Sequence, residues 1–315
     1  MKRKAIITSI KGDSLSLKES KILKKYKPWG LILFKRNISS FEQTKKLIIN
    51  IRKTVGDRKL PILIDEEGGS VSRLSKIIDN KVYSQKFFGD MFTKDLDLGL
   101  SFYKNYVSSM SSVFHSLGIN INAVPVLDII KKNTHNIIGS RSFSNNKKII
   151  KKLGKACIDT YKKNKIGTVI KHIPGHGSAS ADSHKKMPIV NNDYLNLKNE
   201  DFSCFKDTRS FFAMTAHILY SKIDSVNVST HSEIVIKNIV RKKIGFKGIL
   251  ISDDVSMKAL KHDIFTNSLK ALNAGCNLVL YCNGKYEESF KLLEGLPLID
   301  KFTVKKTSEF YKFLS

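Results

Sequence analysis

The sequence has few cysteines and no long apolar run. None of its four cysteines belongs to a Cys-x-x-Cys pair, and the four are Cys157, Cys204, Cys276 and Cys282. This usage favours buried free thiols in a reducing cytosol. The apolar piece at 5–7 stops before Lys11 and Asp13 and is too short for the core of a secretion signal. Because no apolar run reaches membrane-spanning length, we expect a cytoplasmic protein that has no membrane segment.

The sequence is also short of acidic residues. It has 28 Asp+Glu against 55 Lys+Arg, a formal net charge of +27. Such an excess is typical of proteins that bind nucleic acid or an anionic surface. Here it consists mainly of lysine, spread along the chain as Lys-Lys pairs among many Ile and Asn residues. That pattern is typical of an AT-rich coding bias and a solvated surface, so we expect no specific nucleic-acid partner.

No linker or low-complexity segment interrupts the 315 residues, and a single domain over 1–315 is expected. Strand-like apolar runs lie at 5–8, 30–34, 62–64, 121–127, 168–170, 211–214, 248–251 and 277–281. Longer amphipathic segments separate them, among them 40–55, 98–117, 147–164 and 232–244. Continuous apolar strands joined by helices form a parallel sheet covered by helices. Eight such runs predict an α/β fold, a (β/α)8 barrel of the TIM type that is irregular in its first strands.

Polar side chains follow several of these runs. Asp65 comes directly after 62–64, and two glycines and Arg73 follow it. A carboxylate at a strand tip can accept hydrogen bonds from two hydroxyl groups, whereas Glu66 and Glu67 suit an acidic turn that caps a helix. Asp253 and Asp254 follow the run at 248–251 in the same way. In a parallel barrel these strand ends meet at one face, where such folds keep their chemistry.

The stretch from Lys171 to His184 admits three interpretations. A strand-like run ends in Lys171-His172, breaks into a Pro/Gly turn, and continues to Asp182 and His184. The three histidines 172, 176 and 184 could bind a metal, although their Gly-broken spacing is unlike that of zinc signatures. Asp182 could instead orient His184 as a proton shuttle. In the third interpretation the histidines only hold the shape of the loop.

Together these segments resemble the family 3 glycoside hydrolases, most closely their β-N-acetylhexosaminidase branch. The resemblance rests on Lys171–Gly177 with the later Asp182-Ser183-His184 and Pro188, on 65–69 with Arg73, on 118–128, on 138–143 and on 244–257. Gln is common in the family where this chain has Glu66. The resemblance extends from Gly12 to Asn283.

The resemblance implies a role for each of these polar residues. Asp253 would be the catalytic nucleophile, and Asp182 with His184 the acid/base dyad, on a loop expected to move during turnover. The terminal sugar would be held by Asp65, Arg73, Arg141, Lys171 and His172. Asp254 would anchor its loop or cap the next helix, Asp128 would either support the site or form a turn, and His217 would line the pocket or be structural. No cofactor and no metal are expected.

The implied activity is that of a retaining exo-β-N-acetylglucosaminidase. It would remove terminal N-acetylglucosamine that is β-1,4-linked to anhydro-N-acetylmuramic acid, a step of peptidoglycan recycling, and the protein would act as a monomer on this small glycan. A family 3 β-glucosidase is one alternative, although the Asp-Ser-His loop argues against it. A phosphorylase is another, because a neutral imidazole base does not repel phosphate. A His-ligated metal hydrolase and a basic nucleic-acid adaptor leave the polar residues at several strand ends unexplained.

Overall fold

Eight parallel strands close into a barrel in the order β1-β2-β3-β4-β5-β7-β9-β10. The structure is a computed structural model that describes residues 2–131, 138–179 and 187–315. The barrel strands are β1 (Lys4–Thr8), β2 (Pro28–Leu33), β3 (Ile62–Ile64), β4 (Ile121–Asn122), β5 (Gly167–Ile173), β7 (Phe212–Thr215), β9 (Ile249–Asp254) and β10 (Leu278–Leu280). Two further short strands, β6 (Ile189–Val190) and β8 (Leu219–Tyr220), pair with each other outside the barrel. The predicted barrel is confirmed, and each of the eight predicted runs overlaps one of its strands.

Helices connect the strands and cover the barrel. They are α1 (Leu17–Tyr26), α2 (Phe41–Val55), α3 (Gln85–Lys94), α4 (Leu96–Leu117), α5 (Lys147–Lys163), α6 (Tyr194–Asn199), α7 (Ile264–Ala274), α8 (Tyr286–Gly295) and α9 (Lys301–Leu314), with a π-helical segment at Val235–Ile244. All four predicted helical segments overlap one of these. The Ser40 side chain caps α2 by accepting from the Gln43 N–H. Over the described ranges, no helix combines the length and the apolarity needed to cross a bilayer.

Side chains of the strands alternate between the barrel interior and the helical layer. On β9, Ile249 and Ile251 belong to the inner cluster, while Leu250 between them packs with the helices. On β10, Leu278 and Leu280 face inward and Val279 faces outward. Because both faces are buried, the stretches 249–251 and 278–280 are apolar without interruption. The same alternation decides which residues beyond each strand's end continue the inner row.

The pairing departs from regularity at several points. The register of β1 against β2 shifts between Lys4 and Ile7, as expected for the first strands, and similar shifts occur between β5 and β7 and between β9 and β10. The run at 121–127 was predicted as one strand, but β4 ends at Asn122, because the Val124 N–H donates back to the Asn122 carbonyl oxygen and Pro125 has no N–H to donate. Val126 rejoins the barrel through a single bridge to Lys171.

Helix α9 closes the end of the barrel where the strands begin. Phe310 is fully buried and its ring lies 5.0 Å from that of Phe212, at the start of β7. The Trp29 indole, near the start of β2, donates to Thr307 Oγ1 at 2.8 Å. This end of the barrel is therefore filled with apolar side chains, and the opposite end is left for a cavity.

Candidate active site

A cavity of about 320 Å³ opens at the end of the barrel where the strands finish. Six of the residues predicted from the sequence line it: Asp65, Arg73, Arg141, Lys171, His172 and Asp253. They come from four different segments of the chain, so the fold gathers residues that are far apart in sequence. The other two predicted residues, Asp182 and His184, lie outside the described residues, as does the predicted movement of their loop.

The alternation along the strands explains why three of these side chains reach the cavity. Asp65 lies two residues beyond Leu63, Lys171 two beyond Val169, and Asp253 two beyond Ile251. Leu63, Val169 and Ile251 all belong to the inner apolar cluster. Since successive side chains of a strand point to opposite faces, the polar residue two positions on continues the inward row above the core.

Glu66 anchors the turn that follows β3. One of its carboxylate oxygens accepts from the backbone N–H groups of Arg73 at 2.7 Å and Leu74 at 2.9 Å, and the other accepts from Asn80 at 3.3 Å. Gly68 in this turn has a φ of +79°, a left-handed conformation that favours glycine. The interpretation of Glu66 and Glu67 as a helix-capping turn is wrong, because the segment after them forms a loop and α3 begins at Gln85.

Glu67 makes ion pairs with two cations on the cavity floor. Its carboxylate accepts from Arg141 Nε at 2.8 Å and from Nη2 at 2.9 Å. Lys171 Nζ lies 2.7 Å from the same carboxylate and donates to Asp65 at 2.8 Å. Burial by itself raises the pKa of Glu67, but Arg141 and Lys171 outweigh it and hold that pKa well below its usual value. The carboxylate is therefore ionised throughout the neutral range.

Asp128 supports the two histidines of the Pro/Gly turn. Its carboxylate lies 2.7 Å from His172 Nδ1 and accepts from the backbone N–H groups of His172 and of His176. Burial raises the pKa of Asp128, but the neighbouring His172 reverses this, and the net pKa is lowered. Of the two roles left open for Asp128, the geometry favours support of the site over a simple turn.

The imidazole rings of His172 and His176 differ in their hydrogen bonding. His172 Nε2 lies 3.4 Å from Arg141 Nη2, which continues the hydrogen-bonded chain from Asp128 to Glu67. His176 also lines the cavity, and burial lowers its pKa to about 4, so its ring is neutral near pH 7. Its Nδ1 is buried, and within residues 2–131, 138–179 and 187–315 it has no hydrogen-bond partner.

The Arg73 side chain has N–H donors that make no hydrogen bond to the described residues. Its guanidinium packs over the Phe34 ring, 5.3 Å from the ring centroid, and its Nη2 lies 3.8 Å from Asp65. Arg73 Nε is buried and has no hydrogen-bond partner among the residues that the structure describes. Most of the five N–H groups of this side chain are therefore available to an acceptor in the cavity.

The two carboxylates at the end of β9 have different environments. Asp254 accepts from the N–H and hydroxyl of Ser256 and from the Cys282 N–H, which supports the predicted anchoring role. Burial raises the pKa of Asp254. Asp253 accepts from the Asp254 N–H at 2.8 Å and is half-buried on the cavity wall. His217 bonds Thr230 and the Asp254 carbonyl oxygen, which is a structural arrangement.

The cavity lining also includes residues that were not predicted as site residues, among them Phe34, Glu67, His176 and Asp254. Asp254 was expected only as an anchor, and Glu67 was taken for part of a turn. The signal that could have found Glu67 is the inward row itself, since 63, 65 and 67 share a spacing of two residues. Phe34 follows β2 directly, as Asp65 follows β3, but an apolar residue at a strand end gives no chemical signal.

The arrangement suits a polyhydroxylated, uncharged ligand. Asp65 and Asp253 offer carboxylate oxygens, while Arg73, Arg141 and Lys171 offer N–H donors whose charges are largely balanced by Asp65 and Glu67. Charge-assisted donors and acceptors in fixed geometry recognise hydroxyl and amide groups. A carboxylate beside them can act as a nucleophile or a base. Fold and site together define a barrel enzyme that acts on a sugar.

The chain belongs to glycosyl hydrolase family 3. Residues 7–306 match the Glycosyl hydrolase family 3 N terminal domain. The beta-hexosaminidase of Haemophilus influenzae is 33% identical over 302 residues, which cover 94% of this chain and 84% of that protein. The beta-hexosaminidase of Psychromonas ingrahamii is 29% identical over 323 residues, 97% of this chain and 88% of that protein.

Solved structures agree with these sequence matches. NagZ from Neisseria gonorrhoeae in complex with N-trifluoroacetyl-D-glucosamine superposes with a TM-score of 0.88 at 27% identity, over 100% of this chain and 91% of that one. The beta-N-acetylglucosaminidase from Thermotoga maritima superposes with a TM-score of 0.78 at 26% identity, over 98% of this chain and 66% of that one. The chain is thus a glycoside hydrolase of the β-hexosaminidase type, as the sequence motifs predicted.

Proposed function

We propose that this protein is a retaining exo-β-N-acetylglucosaminidase that uses Asp253 as its nucleophile. The observation that carries the proposal is the position of Asp253 on the wall of the cavity that Asp65, Arg73, Arg141, Lys171 and His172 also line. A nucleophile for glycoside hydrolysis must face the anomeric carbon of a sugar that other residues hold in place. The presence of both kinds of residue in one cavity supports the proposal.

The donors that remain after the internal ion pairs support the proposed binding of one sugar. Lys171 uses two of its three N–H groups on Asp65 and Glu67. The remaining one, the Nη1 group of Arg141 and the spare donors of Arg73 can bind sugar hydroxyls or the acetamido oxygen. At about 320 Å³, the cavity is at the small end of the roughly 300–1,000 Å³ range of ligand pockets, which suits a single terminal residue.

In the proposed reaction Asp253 attacks the anomeric carbon and the glycosidic C–O bond breaks. His184, oriented by Asp182, protonates the leaving oxygen, and a covalent glycosyl-enzyme remains on Asp253. His184 then takes a proton from water, the water oxygen bonds to the anomeric carbon, and the ester to Asp253 breaks. Two displacements retain the β configuration.

The proposed substrate is N-acetylglucosamine β-1,4-linked to anhydro-N-acetylmuramic acid, with or without its peptide. Support comes from the likeness to beta-hexosaminidases and from the resemblance of the Lys171–His184 stretch to the hexosaminidase branch of the family. The reaction would belong to peptidoglycan recycling in the cytosol, where the free thiols Cys157, Cys204, Cys276 and Cys282 stay reduced. We expect the enzyme to work as a monomer without a metal or cofactor.

Paired aryl substrates test this function. An aryl N-acetyl-β-glucosaminide should be hydrolysed and the matching aryl β-glucoside should not, in the presence of a chelator as in its absence. Each assay is run with and without phosphate, and sugar 1-phosphate as the main product would replace the hydrolase assignment by a phosphorylase. Preference for the glucoside, or loss of activity with the chelator, would contradict the proposal.

Two variants test the catalytic assignments. Asp253→Ala and His184→Ala should both abolish turnover of a substrate whose leaving group needs protonation. A leaving group that departs without a proton should partly restore His184→Ala but leave Asp253→Ala inactive, because only the first variant keeps its nucleophile. Wild-type rates in either variant would refute its role. Intact mass after reaction with a slow fluorinated substrate should show one sugar attached in the wild type and none in Asp253→Ala.

A further inference from the structure

Glu67 is a carboxylate that the cavity floor encloses almost completely. Its side chain is 1% exposed, and its two carboxylate oxygens form ion pairs with Arg141, through Nε and Nη2, and with Lys171 Nζ. Little of its hydrogen-bonding capacity remains for a ligand. Whatever Glu67 contributes must therefore act through the two cations that it binds.

The two bonds to Arg141 fix the plane of the guanidinium. A bidentate pair of this kind leaves one orientation for the fork. With Nε and Nη2 engaged, the Nη1 group is the part of Arg141 that makes no hydrogen bond to any residue in the described ranges. Lys171 is likewise held between Glu67 and Asp65, with one N–H left over. The direction of both free donors is set by one carboxylate.

We propose that Glu67 is a positioning residue that aims Arg141 and Lys171 at the sugar. This inference rests on the proposed sugar-binding roles of those two cations. The contacts run from Asp128 through His172, Arg141, Glu67 and Lys171 to Asp65, and Glu67 is the member that joins the two cations, Arg141 and Lys171. Donors that are fixed before the substrate arrives need no reorganisation when the transition state forms.

The neighbouring Glu66 provides a matched control. Both carboxylates are buried and lie one residue apart, but Glu66 binds backbone N–H groups and Asn80 and does not line the cavity. Gln is the residue that the family commonly has at this position. A Gln oxygen can accept the same backbone donors, so Glu66→Gln should keep the fold and the kcat/KM of the wild type.

Glu67→Gln removes one of the two charges that face Arg141 and Lys171 and turns one acceptor of the fork into a donor. With the free N–H groups no longer held in place, kcat/KM for the aryl N-acetyl-β-glucosaminide should fall about 100-fold at a temperature where the variant is folded. Glu67→Asp keeps the charge but is too short for the bidentate contact, and its kcat/KM should lie between those of the wild type and Glu67→Gln. Equal kcat/KM for the wild type and both Glu67 variants would overturn the proposal.

A double-mutant cycle with Arg141→Lys separates positioning from a general structural effect. If Glu67 acts through the Arg141 fork, the double variant should lose little more than the worse single variant, since the same geometry is destroyed once. Independent structural damage would instead multiply the two losses. Multiplicative losses would therefore contradict positioning through Arg141.

Ligand binding without turnover distinguishes failure of this inference from failure of the proposed function. N-trifluoroacetyl-D-glucosamine carries a fluorine label, so its Kd can be measured by ¹⁹F NMR for the wild type, Glu66→Gln and Glu67→Gln. A Kd raised in Glu67→Gln and unchanged in Glu66→Gln supports the inference. If the wild type binds and hydrolyses while Glu67→Gln matches it, the positioning role alone is wrong. If the wild type neither binds nor hydrolyses, both proposals are wrong.

Discussion

Asp128 shows how much one buried carboxylate can hold in place. It accepts from the His172 ring and from two backbone N–H groups of the turn that carries His172 and His176. Hydrogen bonds to a charged acceptor are stronger than neutral ones. The position of the turn therefore depends on a residue that lies 48 positions before His176 in the chain.

The pH dependence of stability should report this role. The folded-state pKa of Asp128 is lowered, so its stabilising contribution is complete above the ordinary aspartate pKa of about 3.9 and is lost as the pH falls through the lowered value. Asp128→Asn should reduce the free energy of unfolding by about 3 kcal/mol at neutral pH, as for the loss of one partner of a buried pair. Urea unfolding at pH 7, 5 and 3.5 should show a constant difference from wild type at the first two and a smaller one at the last. A difference that grows on acidification would contradict this assignment.

The residues that sequence reasoning found and missed differ in one physical respect. Asp65, Lys171 and Asp253 each end an apolar strand, so the local pattern alone places them at the barrel face. Glu67 and Asp128 act through partners that only the folded chain brings near: Arg141 is 74 residues from Glu67. A single sequence carries no trace of such a pairing. The dyad Asp182–His184 remains a prediction.

At the scale of elements, the turn after β3 depends on its glycines. A Cβ on Gly68 would lie 2.1 Å from the Tyr83 carbonyl oxygen, whereas a Cβ on Gly56, at the end of α2, would meet nothing within 4 Å. Both residues have a positive φ, +79° and +74°. The two positions therefore share the conformational cost of a side chain and differ only in the steric one.

Alanine at these two glycines should separate the two costs. Gly56→Ala should lower the free energy of unfolding by about 1 kcal/mol, and Gly68→Ala by about 1–3 kcal/mol more, because the backbone must move. Displacement of the turn should also raise KM in Gly68→Ala, since Glu66 and Glu67 move with it. Chemical denaturation and steady-state kinetics of both variants provide the measurement. Equal losses of stability in the two variants would mean that the turn accommodates the added Cβ without strain.

Some elements of the fold were predictable from the sequence and others were not. Eight apolar runs and the helices between them were clear because burial on both faces makes the middle of most strands apolar. The early end of β4 was missed because the run 121–127 is apolar except for Asn122, and the missing N–H of Pro125 does not show in an apolar pattern. The role of α9 was missed too, since its amphipathic pattern does not indicate which end of the barrel it covers.

At the scale of the whole molecule, one end of the barrel contributes to stability and the other holds the candidate active site. Phe310 fills the closed end, while the cavity lies at the other. Phe310→Ala should lower the free energy of unfolding by about 3–5 kcal/mol and leave kcat/KM unchanged at temperatures where the variant is folded. Phe302→Ala, on the same helix but 39% exposed, should have a much smaller effect. Thermal unfolding, together with steady-state kinetics at about 25 °C, checks both variants. A raised KM in Phe310→Ala would show that the two ends are coupled.

Closure of the barrel also has a consequence for the order in which the chain is made. The first strand pairs with the last, with Ile6 beside Val279, so the ring cannot complete until translation has passed residue 280. Until then β1 and β9 are two open edges, each a template for a neighbouring nascent chain. Ribosomes that stall before β10 should therefore release fragments that aggregate, whereas the finished chain has no free strand edge in its barrel.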